Sequence, residues 1–237
     1  MRPAIPMTND AAHVCPWRVP GEYAALIFGG EQLLFRQVAP NGALETKFIA
    51  PASVAAAFAQ AHLIDSGWLA SNIVRWGVGA AGEWVVLFSP PAVCNLTLET
   101  DVSAMVAVRV PMPGYVFLGY GVDYYLWAVT DARLTASTPA YHAPLPNVDT
   151  AGRICFGAKI PPRASAATIR AAWDLFFTAP FTAHQPNGKS KRHPNDVRGH
   201  LLALARRKRR QCPASDLIPL HRTLDAAMEA VLRGGGR

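Results

Sequence analysis

The chain has 237 residues, of which 51% are apolar and only 16% are charged. A chain this apolar is not disordered, because burial of its apolar surface offsets the entropy lost on folding. No apolar run reaches the roughly 18 to 20 residues of a membrane-spanning helix, and the N-terminus lacks the apolar core of a signal peptide. We therefore expect a cytoplasmic protein that does not contact membranes.

The formal net charge of +7 is concentrated in the last quarter of the chain. Residues 1–180 carry 11 Lys/Arg and 12 Asp/Glu, whereas residues 181–237 carry 12 and 4. The near-neutral body and the basic quarter are therefore free to contact different partners. The cysteines and histidines are scattered, which predicts neither a disulfide frame nor a metal site. No Walker or dinucleotide glycine motif is present, so no cofactor is expected.

Three segments are predicted along the chain. Residues 1–20 read as an extended N-terminal arm, and residues 21–50 as an N-terminal β extension with a hairpin and a strand after an Asn-Gly turn. Residues 51–237 form the main domain, which opens with a helix over residues 51–63.

Short apolar runs separated by turn residues then predict a series of strands. They cover residues 73–78, 84–88, 96–98, 104–110, 115–118 and 124–129. In the run 124–129, the even-numbered and the odd-numbered residues are both apolar. Since they point to opposite faces of a strand, this strand is predicted to be covered on both faces.

Residues 131–163 break this pattern, with five prolines and two glycines. A structureless segment this long inside a domain is typically functional. Helices are predicted after it, at residues 166–177 with Ser165 as the cap, at 196–210 and at 217–233. The order of strands, long loop and helices predicts an α+β fold, with helices packed on one face of an antiparallel sheet.

Cys155 lies inside the irregular segment and is a candidate nucleophile, because a thiolate is intrinsically reactive. Asn147 precedes it by eight residues, and a side-chain amide can donate to the oxyanion that develops in acyl transfer. Gly152, three residues before the cysteine, permits a turn.

In this stretch the sequence resembles the ubiquitin-conjugating enzyme (UBC-like) family, which places His-Pro-Asn eight residues before its catalytic cysteine. Residues 146–147 (Pro-Asn) and 152–155 (Gly-Arg-Ile-Cys) match in type and spacing. Leu145 stands where the family has its histidine, and His142 is the nearest histidine. A closer resemblance is to a prokaryotic branch, protein B of the PRTRC cassette of mobile elements.

The resemblance implies a UBC-like fold, with an early helix, a meander sheet and a long active-site loop, over roughly residues 50–235. It implies that Cys155 accepts the C-terminus of a ubiquitin-like protein as a thioester and releases it to an amine. Asn147 would brace the loop or donate to the oxyanion, Pro146 and Gly152 would shape the loop path, and His142 would substitute for the missing histidine if the loop folds back. The implied partners are a ThiF-like activating enzyme, the ubiquitin-like protein and a JAB-type peptidase.

Other interpretations of the same residues remain open. Cys155 is also consistent with a buried structural thiol, or with a Cys-His hydrolase pair completed by His142 or His184. A literal His-Pro-Asn at residues 193–195 is not followed by a cysteine eight residues later, and it fits a helix N-terminus.

The second function predicted is a binding module of a plasmid or mobile element, in which Leu145 marks a decayed site. It would contact nucleic acid or an acidic partner through five consecutive cations, Arg206, Arg207, Lys208, Arg209 and Arg210. A solvated helix end, where cations complement the helix dipole, explains the same run.

Overall fold

The computed structural model describes residues 24–29, 32–39, 41–61, 66–100, 104–207 and 211–234. The chain divides into two compact units, residues 1–65 and 66–237. The arm predicted for residues 1–20 lies outside the described residues, and the segment boundaries predicted from the sequence stay a prediction.

The first unit contains a small antiparallel sheet and one helix. Strands β1 (Ala24–Gly29), β2 (Gln32–Val38) and β3 (Leu44–Ile49) pair in chain order. The turn before β3 uses Asn-Gly chemistry, since Gly42 has φ +81° and the side chain of Asn41 accepts the amide of Ala43 at 2.9 Å. Helix α1 spans Pro51–Ala61.

The second unit contains the main sheet and a separate hairpin. Its strands are β4 (Ile73–Gly79), β5 (Gly82–Ser89), β6 (Ala92–Glu99), β7 (Met105–Met112), β8 (Gly114–Tyr120), β9 (Asp123–Val129), β10 (Pro139–His142) and β11 (Pro219–Thr223). The main sheet has the antiparallel order β11-β10-β9-β8-β5-β4, and β6 pairs with β7 outside it. The six strands predicted between residues 73 and 129 are all present, whereas β10 and β11 were not predicted.

Three helices lie in the described part of this unit: α2 (Ile169–Phe177), α3 (Val197–Arg206) and α4 (Leu224–Gly234). Helix α2 begins three residues later than predicted, because the hydroxyl of Ser165 accepts the amide of Thr168 at 3.2 Å and caps a preceding turn instead. None of the helices among the described residues is long and apolar enough to cross a membrane.

The helix predicted over residues 217–233 is wrong in its first seven residues. Residues 219–223 form β11, in which Tyr141 faces Pro219 and Pro139 faces Thr223. The hydroxyl of Thr223 accepts the amide of Ala226 at 3.2 Å, so the helix begins only after this residue. Tertiary pairing with β10 therefore overrides the helical spacing of the apolar residues.

Helices cover both faces of the main sheet, not one face as predicted. Helices α2 and α3 join the larger apolar core, together with the hairpin β6-β7, whereas α4 packs in a second core on the opposite face. The reason lies in β9, where Tyr124 and Leu126 belong to the first core and Trp127 and Val129 to the second. The two-faced burial predicted for this strand is confirmed.

Candidate active site

The segment after β10 brings Asn147 and Cys155 together. A tight turn reverses the chain over residues 149–153, and Val148 and Ile154 form a bridge beside it. The next pair of residues away from the turn is Asn147 and Cys155, and the amide of Cys155 donates to the carbonyl of Asn147 at 2.8 Å. Two residues eight positions apart thus become direct neighbours.

Asp149 and Gly152 build this turn. The carboxylate of Asp149 accepts the amides of Ala151 and Arg153, both at 2.8 Å. Gly152 has φ +94°, and a Cβ there would lie 2.5 Å from the indole nitrogen of Trp127. That nitrogen donates to the carbonyl of Ala151 at 3.1 Å, so the turn rests directly on the main sheet. Only glycine fits this backbone conformation and this close approach.

Asn147 connects the active-site segment to residues 180–184. Its φ is +60°, in the left-handed region that asparagine tolerates better than most residues. Its amide nitrogen donates to the carbonyl of Pro180 at 3.2 Å, and its amide oxygen accepts the hydroxyl of Thr182 at 3.1 Å. Its backbone amide donates to the carbonyl of His184 at 2.8 Å. Both ends of the side chain are therefore held by protein groups.

The residues beside Asn147 anchor the segment in the interior. Leu145 is fully buried in the larger core, Val148 joins it there, and Pro146 is buried between them. Leucine at position 145 therefore serves as an apolar anchor, where a histidine would need polar partners.

Cys155 lines a surface pocket of about 390 Å³ and is half-buried. The pocket wall also includes Asp149, Lys159 and His184. Within the described part of the chain, no hydrogen bond or ion pair engages the Cys155 thiol. Phe156 next to it packs against Tyr124, with ring centroids 5.6 Å apart, which fixes the direction of the chain after the cysteine.

The histidines named from the sequence lie in different places. His142 belongs to β10, where its backbone amide donates to the carbonyl of Ile218 at 3.0 Å, and it does not line the Cys155 pocket. Burial lowers the pKa of its imidazole, and the charge of Lys189 adds to that effect. His184 lines the same pocket as Cys155.

The second tripeptide, residues 193–195, precedes α3. Asp196 is the cap of that helix, since its carboxylate accepts the amide of Arg198 at 2.9 Å. Arg206 and Arg207 are exposed at the other end of α3, as the helix-end interpretation requires, while residues 208–210 of the basic run lie outside the described residues.

Sequence reasoning missed Lys189. The ammonium group of Lys189 donates to the carbonyls of Leu145, Val148 and Gln185, and the side chain is 2% exposed. Burial lowers its pKa to about 8. Residues 182–194 are polar and contain an Asn-Gly pair, which predicts a turn or flexible loop, and no sequence pattern marks one of their lysines as buried.

Among the described residues, no three His, Cys, Asp or Glu side chains come together as metal ligands would. No curated protein and no solved structure gives a match to this chain. A family model described as prokaryotic E2 family D matches residues 50–220, which span the early helix, the sheet, Asn147, Cys155 and the loop that carries Lys189. The chain therefore belongs to prokaryotic E2 family D, within the UBC-like proteins.

Proposed function

We propose that this chain carries a ubiquitin-like protein as a thioester on Cys155 and transfers it to an amine. The observation that supports this is the pairing of Cys155 with Asn147 at the wall of a surface pocket. Membership of an E2 family adds the expectation of an activating enzyme and a ubiquitin-like protein as partners.

The chemistry requires two acyl transfers. The Cys155 thiolate attacks the thioester carbonyl presented by an activating enzyme of the ThiF class; a new carbon–sulfur bond forms, and the donor's sulfur leaves as thiolate. An amine then attacks the same carbon, an amide bond forms, Cys155 leaves as thiolate, and the surplus proton of the amine passes to a base. ATP is consumed upstream, when the carboxylate is first activated.

Of the two roles implied for Asn147, the geometry favours the brace. Its side-chain nitrogen and oxygen are already engaged by Pro180 and Thr182. Movement toward an oxyanion would break these bonds, each worth roughly 1 kcal/mol. We assign Asn147 to holding the active-site segment against residues 180–182.

His184 is the candidate base, because it lines the same pocket as Cys155 and an imidazole can accept a proton during acyl transfer. The same arrangement supports a second candidate function, a Cys-His hydrolase. The two functions differ in their product: conjugation leaves an amide on the acceptor amine, whereas hydrolysis releases the free carboxylate of the ubiquitin-like protein whether or not an amine is present.

The test combines this protein with its activating enzyme, the ubiquitin-like protein and ATP, followed by gels with and without reductant. We expect a reductant-sensitive adduct that is absent from Cys155→Ala and retained in Cys212→Ala. Cys155→Ser should give an adduct that resists reductant, because an oxygen ester replaces the thioester.

Absence of the adduct, with the activating enzyme charged in the same tube, would contradict the proposal. It would leave the binding module as the better interpretation. That alternative is tested separately by DNA binding at low salt, which neutralisation of residues 206–210 should abolish.

A further inference from the structure

Lys189 is the buried charge closest to the active-site segment. Its ammonium nitrogen lies 2.9 Å from the carbonyl oxygen of Leu145 and also donates to the carbonyls of Val148 and Gln185. Two of these carbonyls flank Asn147, and the third belongs to the residue after His184. One side chain thus joins the segment of Asn147 to the loop of the candidate base.

Two of the three carbonyls, those of Leu145 and Val148, require a donor at this position. Leu145 and Val148 are buried, so an apolar side chain at position 189 would leave their carbonyls without partners, at a cost of roughly 1 to 3 kcal/mol for each buried group. An ammonium group carries three N–H donors and has three acceptors here, so its hydrogen-bonding capacity is matched.

Stability alone does not account for a buried cation. Transfer of an ammonium group out of water is costly, and an apolar core position of the same volume is often at least as stable. Asp149 is the acidic group whose charge acts on Lys189, and no ion pair joins the two among the described residues. His142 faces the same region, where burial and then the charge of Lys189 lower the pKa of its imidazole. The charge is therefore retained for what its hydrogen bonds hold in place.

We propose that Lys189 is the positioning residue of the Cys155 site and braces, through backbone carbonyls, the segment that carries Asn147. Leu145 stands at the histidine's place, and Lys189 binds the backbone carbonyl of that very residue. Lys189 fixes the segment that carries Asn147 through the carbonyls of Leu145 and Val148, and Asn147 in turn holds the amide of Cys155 through its carbonyl. The catalytic importance of Lys189 rests on the proposed function, whereas its hold on the loop does not.

The first test needs no partner protein. Hydrogen exchange is measured for the amides of Asn147 and Cys155, and for Val116 to Leu118 in the buried strand β8, in Lys189→Met and in the matched control Lys191→Met at an exposed position of the same loop. We expect at least tenfold faster exchange at Asn147 and Cys155 in Lys189→Met, with β8 unchanged. Lys191→Met should match the wild type.

Two results would overturn the positioning role. Unchanged exchange at Asn147 and Cys155 would show that Lys189 does not hold the loop. Equal acceleration in β8 would show that Lys189 supports the whole fold instead. If Lys189→Met does not fold, the pair Lys189→Arg and Lys189→Gln replaces it, since arginine keeps the charge and donors whereas glutamine loses the charge. Protection retained in both would equally contradict the proposal.

The second test measures discharge of the preformed thioester to free lysine. Lys189→Met should discharge at least tenfold more slowly, whereas Lys189→Arg should stay within about threefold of the wild type and Lys191→Met should not differ. If the wild type forms no thioester, the proposed function fails while the exchange result stands. If the wild type is charged and Lys189→Met discharges normally, the positioning role fails and the function stands.

Discussion

Two similar tripeptides, Leu-Pro-Asn at residues 145–147 and His-Pro-Asn at residues 193–195, have different surroundings. Leu145 and Pro146 of the first are buried, its asparagine has a left-handed backbone, and the turn at Gly152 reverses the chain so that Cys155 pairs with Asn147. The second is followed directly by α3, so the residue eight positions after Asn195 is Ala203 inside a helix. The comparison teaches that the chain reversal, more than the histidine, makes such a tripeptide part of a site.

The second tripeptide supports the first indirectly. The carbonyl of Pro194 accepts the amide of Gly188 at 2.7 Å, and the amide of His193 donates to the hydroxyl of Ser190 at 3.0 Å. These bonds hold the residues on either side of Lys189. The His-Pro-Asn sequence is thus a structural support for the loop whose lysine binds the Leu-Pro-Asn segment.

The cysteines near the two tripeptides should differ most in reactivity. Cys212 follows the second one in the sequence, and burial and the charge of Asp216 raise the pKa of its thiol to about 12. Cys155 is half-buried in a pocket wall. We expect iodoacetamide at pH 8 to modify Cys155 at least about tenfold faster than Cys212, because the raised pKa keeps the Cys212 thiol protonated and only the thiolate reacts. Site-resolved mass spectrometry measures both rates in one sample; equal rates would contradict the assignment.

Replacement of the turn glycine should cause the largest loss of stability. Gly152→Ala places a Cβ 2.5 Å from the indole of Trp127 at φ +94°, and we expect about 3 kcal/mol of destabilisation from clash and backbone strain together. Gly157→Ala is the control, since it shares a positive φ of +64° but has open space around it. It should cost about 1 kcal/mol. Urea unfolding measures both, and equal losses would rule out the contact with Trp127 as the cause.

Replacing each asparagine by alanine compares directly how much the two tripeptides contribute to stability. Asn147→Ala loses the bonds to Pro180 and Thr182 and gains left-handed strain, so we expect about 2 kcal/mol of destabilisation. Asn195→Ala, at an exposed position before α3, should stay within about 0.5 kcal/mol of the wild type. If Asn195→Ala proved the more damaging change in chemical denaturation, the roles assigned to the two segments would be reversed.

The smallest effect concerns the helix cap beside the second tripeptide. Burial alone would raise the pKa of Asp196, but hydrogen bonds and charge from Arg198 outweigh it and hold that pKa below its usual value. Asp196→Ala should cost about 1 kcal/mol at pH 7. Because the depressed pKa means that the ionised form is the stabilising one, the difference from wild type should shrink as the pH falls through that pKa. A difference independent of pH down to 2 would contradict this account.

Much of the main sheet could be predicted from the sequence, because its strands between residues 73 and 129 are apolar runs that are long enough to be recognised and are bounded by turn residues. Strands β10 and β11 have only four and five residues; they form by pairing with each other and, for β10, also with β9, and local sequence patterns do not encode such pairing. The placement of helices on both faces followed from the apolar alternation in β9, which the one-face prediction did not use.

In the candidate site, too, the residues within one short segment could be predicted from the sequence, whereas their distant contacts could not. Asn147, Gly152 and Cys155 were singled out by residue type and spacing within one short segment, and their roles stay predictions. Their supports, Pro180, Thr182 and Lys189, lie 33 to 44 residues from the positions they contact, where a single sequence carries no signal.

The bond from Lys189 to the carbonyl of Leu145 has a consequence for the evolution of such sites. A histidine at position 145 would act through its side chain, whereas the lysine binds a backbone atom. The side chain of residue 145 is then not needed for this contact, so an apolar residue can replace the histidine. Relatives should therefore show covariation: leucine at the tripeptide's first position together with a basic residue about 44 positions later. Relatives with neither the histidine nor the later basic residue are expected to lack the cysteine chemistry.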